Sequence, residues 1–163
     1  MAPCHRLWRH RDHAHVAERQ PVSALPQFDD AFIFTLALSP VPEACLRARR
    51  MAEETLAFWG LDAQTVYNGK LVVNELVTNA LQASVVGQEI TLRIFIGDSG
   101  LPVVEVWDDV EQKPAKNEPD PLAESGRGVF LIEHFTRTWG SNPTADGGKV
   151  VWAELGLAPP TPS

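Results

Sequence analysis

The chain reads as an α+β domain, a two-layer sandwich in which a mixed, mostly antiparallel sheet of about four strands carries helices on one face. Three observations predict this. Two helix-length segments with apolar residues at helical spacing follow one another between Glu43 and Ser84. The run Ile90–Ile96 alternates apolar and other residues, and Gly97-Asp98-Ser99-Gly100 joins it to a second apolar run, Val103–Trp107, as in an antiparallel hairpin. A short amphipathic segment, Gly128–Phe135, and a last apolar run, Val150–Leu155, close the pattern.

The elements can be justified in order. Residues 1–27 hold four of the five histidines, His5, His10, His13 and His15, in a polar stretch without apolar periodicity. That composition reads as a disordered extension ahead of a metal-binding cluster. The foldable domain is expected over residues 28–157, beginning with a strand from Asp30 to Leu38 in which Phe32, Phe34 and Leu36 share one face. Ser39-Pro40 and Pro42 end that strand. A helix from Glu43 to Trp59 follows, stopped by Gly60 as a C-cap. The next helix runs from Ala63 to Ser84, with Gly87 at its exit. Residues 110–125 are polar and rich in proline and glutamate, which suits a lid or linker rather than a core element. Residues 158–163 are read as a loose tail.

Composition narrows the function classes. A chain of 163 residues with 44% apolar content and 21% charge can bury a sizeable core without staples. Its net charge of −7 argues against direct nucleic-acid binding, which needs a basic surface. Two cysteines, Cys4 and Cys45, have no metal-ligand spacing. The basic N-terminus lacks an apolar core of a signal peptide, and no stretch reaches the roughly 18 apolar residues of a membrane span. A cytoplasmic protein with no membrane partner is expected.

The chemistry centres on Glu75-Leu76-Val77-Thr78-Asn79-Ala80-Leu81. Four residues make slightly more than one helical turn, so Glu75 and Asn79 emerge on one face, beside an apolar stripe of Val73, Leu76, Val77 and Ala80. One can act as a base while the other holds a metal. Alone, such a pair is as compatible with solvated helix surface. Downstream stand Trp107-Asp108-Asp109 at the end of a strand, then Glu124-Ser125-Gly126-Arg127-Gly128 before a helix, then Trp139-Gly140 and Gly148-Lys149-Val150-Val151-Trp152. Asp108 can accept a hydrogen bond from an exocyclic amine, although a strand-end turn aspartate is common. Glycines at a helix start let backbone N–H groups approach phosphate, where the helix dipole favours negative charge. Arg127 could touch phosphate or remain solvated.

This succession resembles the N, G1 and G2 boxes of the GHKL ATPase superfamily, which includes gyrase, heat-shock chaperones, mismatch-repair proteins and histidine kinases. More narrowly it is similar to the small single-domain bacterial branch, the anti-sigma-factor serine/threonine kinases. The resemblance extends over about Phe28–Leu157 and implies the Bergerat-type ATP-binding fold. It implies ATP and Mg²⁺ as cofactors, Glu75 as catalytic base, Asn79 as the metal ligand, and Asp108 as the reader of adenine. Gly126, Arg127 and Gly128 are then the phosphate-side residues. The implied partners are proteins, a sigma factor or an anti-anti-sigma antagonist, and a homodimer is left open.

Departures from the family pattern are Ala83 where a histidine is common, Val110 where a glycine or serine is common, and Val150 where many relatives carry a threonine. Loss of that hydroxyl is expected to weaken nucleotide binding by about 0.5–1.5 kcal/mol, one hydrogen bond. The resemblance implies a serine/threonine protein kinase. The other readings are a non-catalytic, ATP-dependent protein-binding module and a histidine-kinase catalytic fragment. The histidines of residues 1–27 sit in a segment without helical periodicity, so a helix with a phosphoacceptor histidine is not expected there, which disfavours the fragment.

Overall fold

Five antiparallel strands form one sheet in the order β1-β2-β3-β5-β4. In this computed structural model the described residues are 33–84, 87–108, 126–145 and 147–156, the side chains of 126–130 excepted. The expected N-terminal extension, the loop of residues 110–125 and the C-terminal tail lie outside them, as do Phe32 and Asp109.

The elements are β1 (Phe34–Leu38), α1 (Ala44–Phe58), α2 (Ala63–Ala83), β2 (Ile90–Ile96), β3 (Pro102–Asp108), α3 (Gly126–Phe135), β4 (Thr136–Pro143) and β5 (Lys149–Leu155). The α+β sandwich expected from the sequence is thus what the structure shows. Two details differ. Among the described residues the sheet has a fifth strand, β4, and every ladder is antiparallel rather than mixed. α3 also begins at Gly126, so both motif glycines lie within its first turn rather than before it.

Local chemistry explains the two long helices. α1 buries Ala44, Ala48, Ala52, Thr55 and Leu56, a stripe at spacings of three and four whose small residues let α1 lie close to its neighbours. It ends where Gly60 takes φ +75°, a left-handed conformation that costs glycine little, and donates its N–H to Ala57 O at 2.9 Å. α2 starts on Asp62, whose Oδ1 accepts from the N–H groups of Gln64 and Thr65, both at 3.0 Å. The Thr65 hydroxyl adds a 2.6 Å bond to Oδ2, and these bonds hold the Asp62 carboxyl below its usual pKa.

Strand alternation sorts the sheet's faces. On β2, Ile90, Leu92 and Ile94 join the core, as do Val104 and Val106 of β3 and Ala153 and Leu155 of β5. They meet Leu56, Val72, Val73, Leu76, Val77 and Ile132 from the helices. Each such Leu, Ile or Val contributes about 1.5–3 kcal/mol on burial. Odd-numbered β3 residues and even-numbered β5 residues therefore point away from the helix layer.

Candidate functional site

β3 is the central strand, and its last residue is Asp108. Residue parity with Val104 and Val106 puts the Asp108 side chain on the helix side, 2% exposed. The strand beside it, β5, is locked in place by Gly148. A Cβ there would collide with the Asp108 carbonyl oxygen, so only glycine lets the chain enter β5 at this distance.

α2 lies over the same face, against β3, β2 and β5. Its buried stripe of Val72, Val73, Leu76, Val77 and Ala80 leaves Glu75 and Asn79 half-buried at its edge, one turn apart. The amide nitrogen of Asn79 is fully buried and has no hydrogen-bond partner among the described residues. Burying such an atom without a partner costs about 1–3 kcal/mol, so this donor is suited to an acceptor the folded chain does not itself supply. Thr78 next to it is engaged by Cys45, with Sγ and Oγ1 3.5 Å apart. Asn74, on the other flank, accepts from Arg49 at 3.2 Å.

α3 packs against α2. Gly126, Arg127 and Gly128 form its first turn, where the backbone N–H groups have no partner within the helix. The candidate residues thus lie on three elements, the edge of α2, the end of β3 and the start of α3, with α2 packed against both β3 and α3. Among the described residues no cluster of three His, Cys, Asp or Glu side chains could hold a metal by itself. An asparagine oxygen is a hard donor of the type magnesium takes, with the rest of its shell left to phosphate and water, so the Asn79 amide fits the ion implied by the sequence.

The structure corrects one site reading and adds another residue. Val150 pairs with Trp107 and, by parity with Ala153 and Leu155, faces away from the helices. It is buried yet lies outside the core cluster. A hydroxyl there would not reach the side of the sheet that carries Asp108, so the expected loss of a nucleotide-side hydrogen bond at Val150 does not hold. The residue directly across from Asp108 on the helix side is Lys149. Counting back from the apolar set Val151, Ala153 and Leu155 in steps of two would have found it in the sequence.

No helix among the described residues is long and apolar enough to cross a membrane. No curated protein matches the chain. Among solved structures, it is similar to the crystal structure of the RsbU and RsbW domains of Rv1364c from Mycobacterium tuberculosis, with 16% identity and a TM-score of 0.59. That match covers 80% of this chain and 34% of the other, so this chain spans about a third of that structure, and the likeness is one of fold. The model of the histidine kinase-like ATPase domain matches residues 38–155, from the end of β1 to the end of β5. With that match running through every element that builds the site, the chain belongs to the histidine kinase-like ATPase family.

Proposed function

We propose that the chain binds ATP with Mg²⁺ at this site and is a serine/threonine protein kinase of the anti-sigma-factor type, switching a partner regulator by phosphorylating it. The observation that carries the reading is the placing of Asn79 one turn from Glu75 on the helix lying over Asp108's strand, with its buried amide N–H group left open to an acceptor such as a phosphate oxygen. Family membership, the sequence resemblance to anti-sigma-factor kinases and the likeness in fold to a structure containing an RsbW domain support it.

Magnesium-ATP supplies the transferable phosphoryl group and the charge that steadies its phosphates. Asp108 accepts a hydrogen bond from the adenine amine, for which guanine offers an acceptor instead. Asn79 contributes the protein's oxygen to the cation. The first turn of α3 turns its free N–H groups and dipole toward phosphate oxygens, beside Arg127. Glu75 takes the proton of the attacking serine or threonine hydroxyl as its oxygen bonds to the γ-phosphorus and ADP leaves.

The test is phosphotransfer from labelled ATP to candidate sigma-factor antagonists. Glu75→Gln keeps size and helix propensity but cannot accept the proton, so transfer should fall about 10²- to 10⁴-fold while ATP binding changes little. Transfer at the parent rate by the Gln variant would contradict the assignment. If the parent transfers nothing and ATP still changes partner affinity, the domain is an ATP-dependent binding module.

A further inference from the structure

We infer that Lys149 is a nucleotide-binding residue whose ammonium donates to N1 of the adenine that Asp108 reads at its amine; this rests on the ATP-binding reading above. In the β3–β5 ladder Asp108 and Lys149 are direct partners. Parity with Val151, Ala153 and Leu155 puts Lys149 on the helix side, as parity with Val104 and Val106 does for Asp108. Side chains so paired have Cβ atoms about 4.5–5.5 Å apart. The face they share is otherwise apolar along β2, β3 and β5, through Ile90, Leu92, Ile94, Val104, Val106 and Ala153. Asp108 and Lys149 therefore hold paired positions at one end of an apolar surface covered by α2.

Lys149 is only partly exposed, and its ammonium has no ion-pair or hydrogen-bond partner among the described residues. The other described cations on the sheet are engaged. Arg93 pairs with Glu105 at 3.3 Å and Arg137 with Glu154 at 3.5 Å. An acceptor beside a donor is the complement of adenine's edge, where the amine donates and N1 accepts. Guanine presents the two in the opposite order, an acceptor oxygen and an N1–H donor, so a carboxylate and an ammonium reading that edge select against it. Lys149 thus extends base selection from one strand to two and supplies from its own charge the contact expected of a hydroxyl at Val150.

The experiment compares ATP with 1-deaza-ATP, which keeps the amine but replaces N1 by a C–H. Calorimetric titration of the parent should show 1-deaza-ATP binding about ten- to a hundredfold more weakly than ATP, the loss of one charge-assisted hydrogen bond. Lys149→Met should erase that difference by weakening ATP alone, while Lys149→Arg, which keeps a donor, should retain part of it. Equal affinity of the parent for the two nucleotides would overturn the inference whatever the variants do. So would a Lys149→Met protein that melts like the parent and still prefers ATP by the parent's ratio. A parent that binds no ATP at all would remove the nucleotide reading itself, a result distinct from ATP binding that ignores Lys149.

Discussion

Glu105 and Asp108 stand three residues apart on β3, 6% and 2% exposed, and the strand's alternation sends them to opposite faces. Glu105 points away from the helices and is bound by its own surroundings. Its Oε2 accepts from the Trp107 indole at 2.8 Å and from Arg93 at 3.3 Å. The Arg93 guanidinium in turn lies 5.8 Å from the ring centroids of both Phe95 and Trp107. Asp108 points under α2, toward the face that carries Glu75, Asn79 and Lys149. A buried carboxylate is therefore no functional signal by itself. The two differ in what lies beside them: Arg93 and Trp107 hold Glu105 on its own face, and Asp108 lies on the face covered by α2, the helix that carries the proposed site residues Glu75 and Asn79.

The largest effect that could break this contrast lies on the helix side. Asn79→Ala removes the proposed metal ligand and leaves the best helix former in its place, so Mg²⁺-dependent ATP binding should be lost or greatly weakened with α2 intact. ATP titrations with Mg²⁺ and with chelator decide it. Unchanged affinity with Mg²⁺ would place the cation elsewhere.

A smaller effect is expected on the far face. Burial pushes the Glu105 carboxyl above its ordinary value, opposed by the Trp107 hydrogen bond and the Arg93 charge. The folded state therefore holds this proton more tightly than the unfolded chain does. The stability it contributes is full below the unfolded pKa, about 4.3 for a glutamate, and is lost as pH rises through the raised folded value. Glu105→Gln cannot ionise, so its stability relative to the parent should rise with pH across that window, measured by urea unfolding. A pH-independent difference would show that Glu105 titrates alike in both states.

The same contrast explains what could be read in the sequence. β2 and the hairpin to β3 were legible because Ile90, Leu92, Ile94 and Ile96 alternate and a Gly-rich turn follows. α1 was legible because Gly60 marks its stop. β4 was not. Its sequence, TRTWGSNP, has no apolar alternation, and as an edge strand it buries only part of Trp139 against the core, so its ladder with β5 makes it a strand. The start of α3 was hidden by two glycines, poor helix formers read as loop. At the site, the Glu75–Asn79 pairing follows from helical spacing within one segment. Which β5 residue stands beside Asp108 depends on register between strands some 40 residues apart in the chain, and a slip of one exchanges Lys149 for Val150.

The most direct test of the account sets the two β3 carboxylates against each other. ATP and GTP titrations of the parent, Asp108→Asn and Glu105→Gln, by calorimetry, should show ATP preferred by the parent. Asp108→Asn should bind ATP about tenfold or more weakly, having lost its charge and able to present a donor to the adenine amine. Glu105→Gln should bind it as the parent does. Equal binding of ATP and GTP by the parent, or equal loss of ATP affinity in both variants, would contradict the assignment of the helix side of β3 as the nucleotide face.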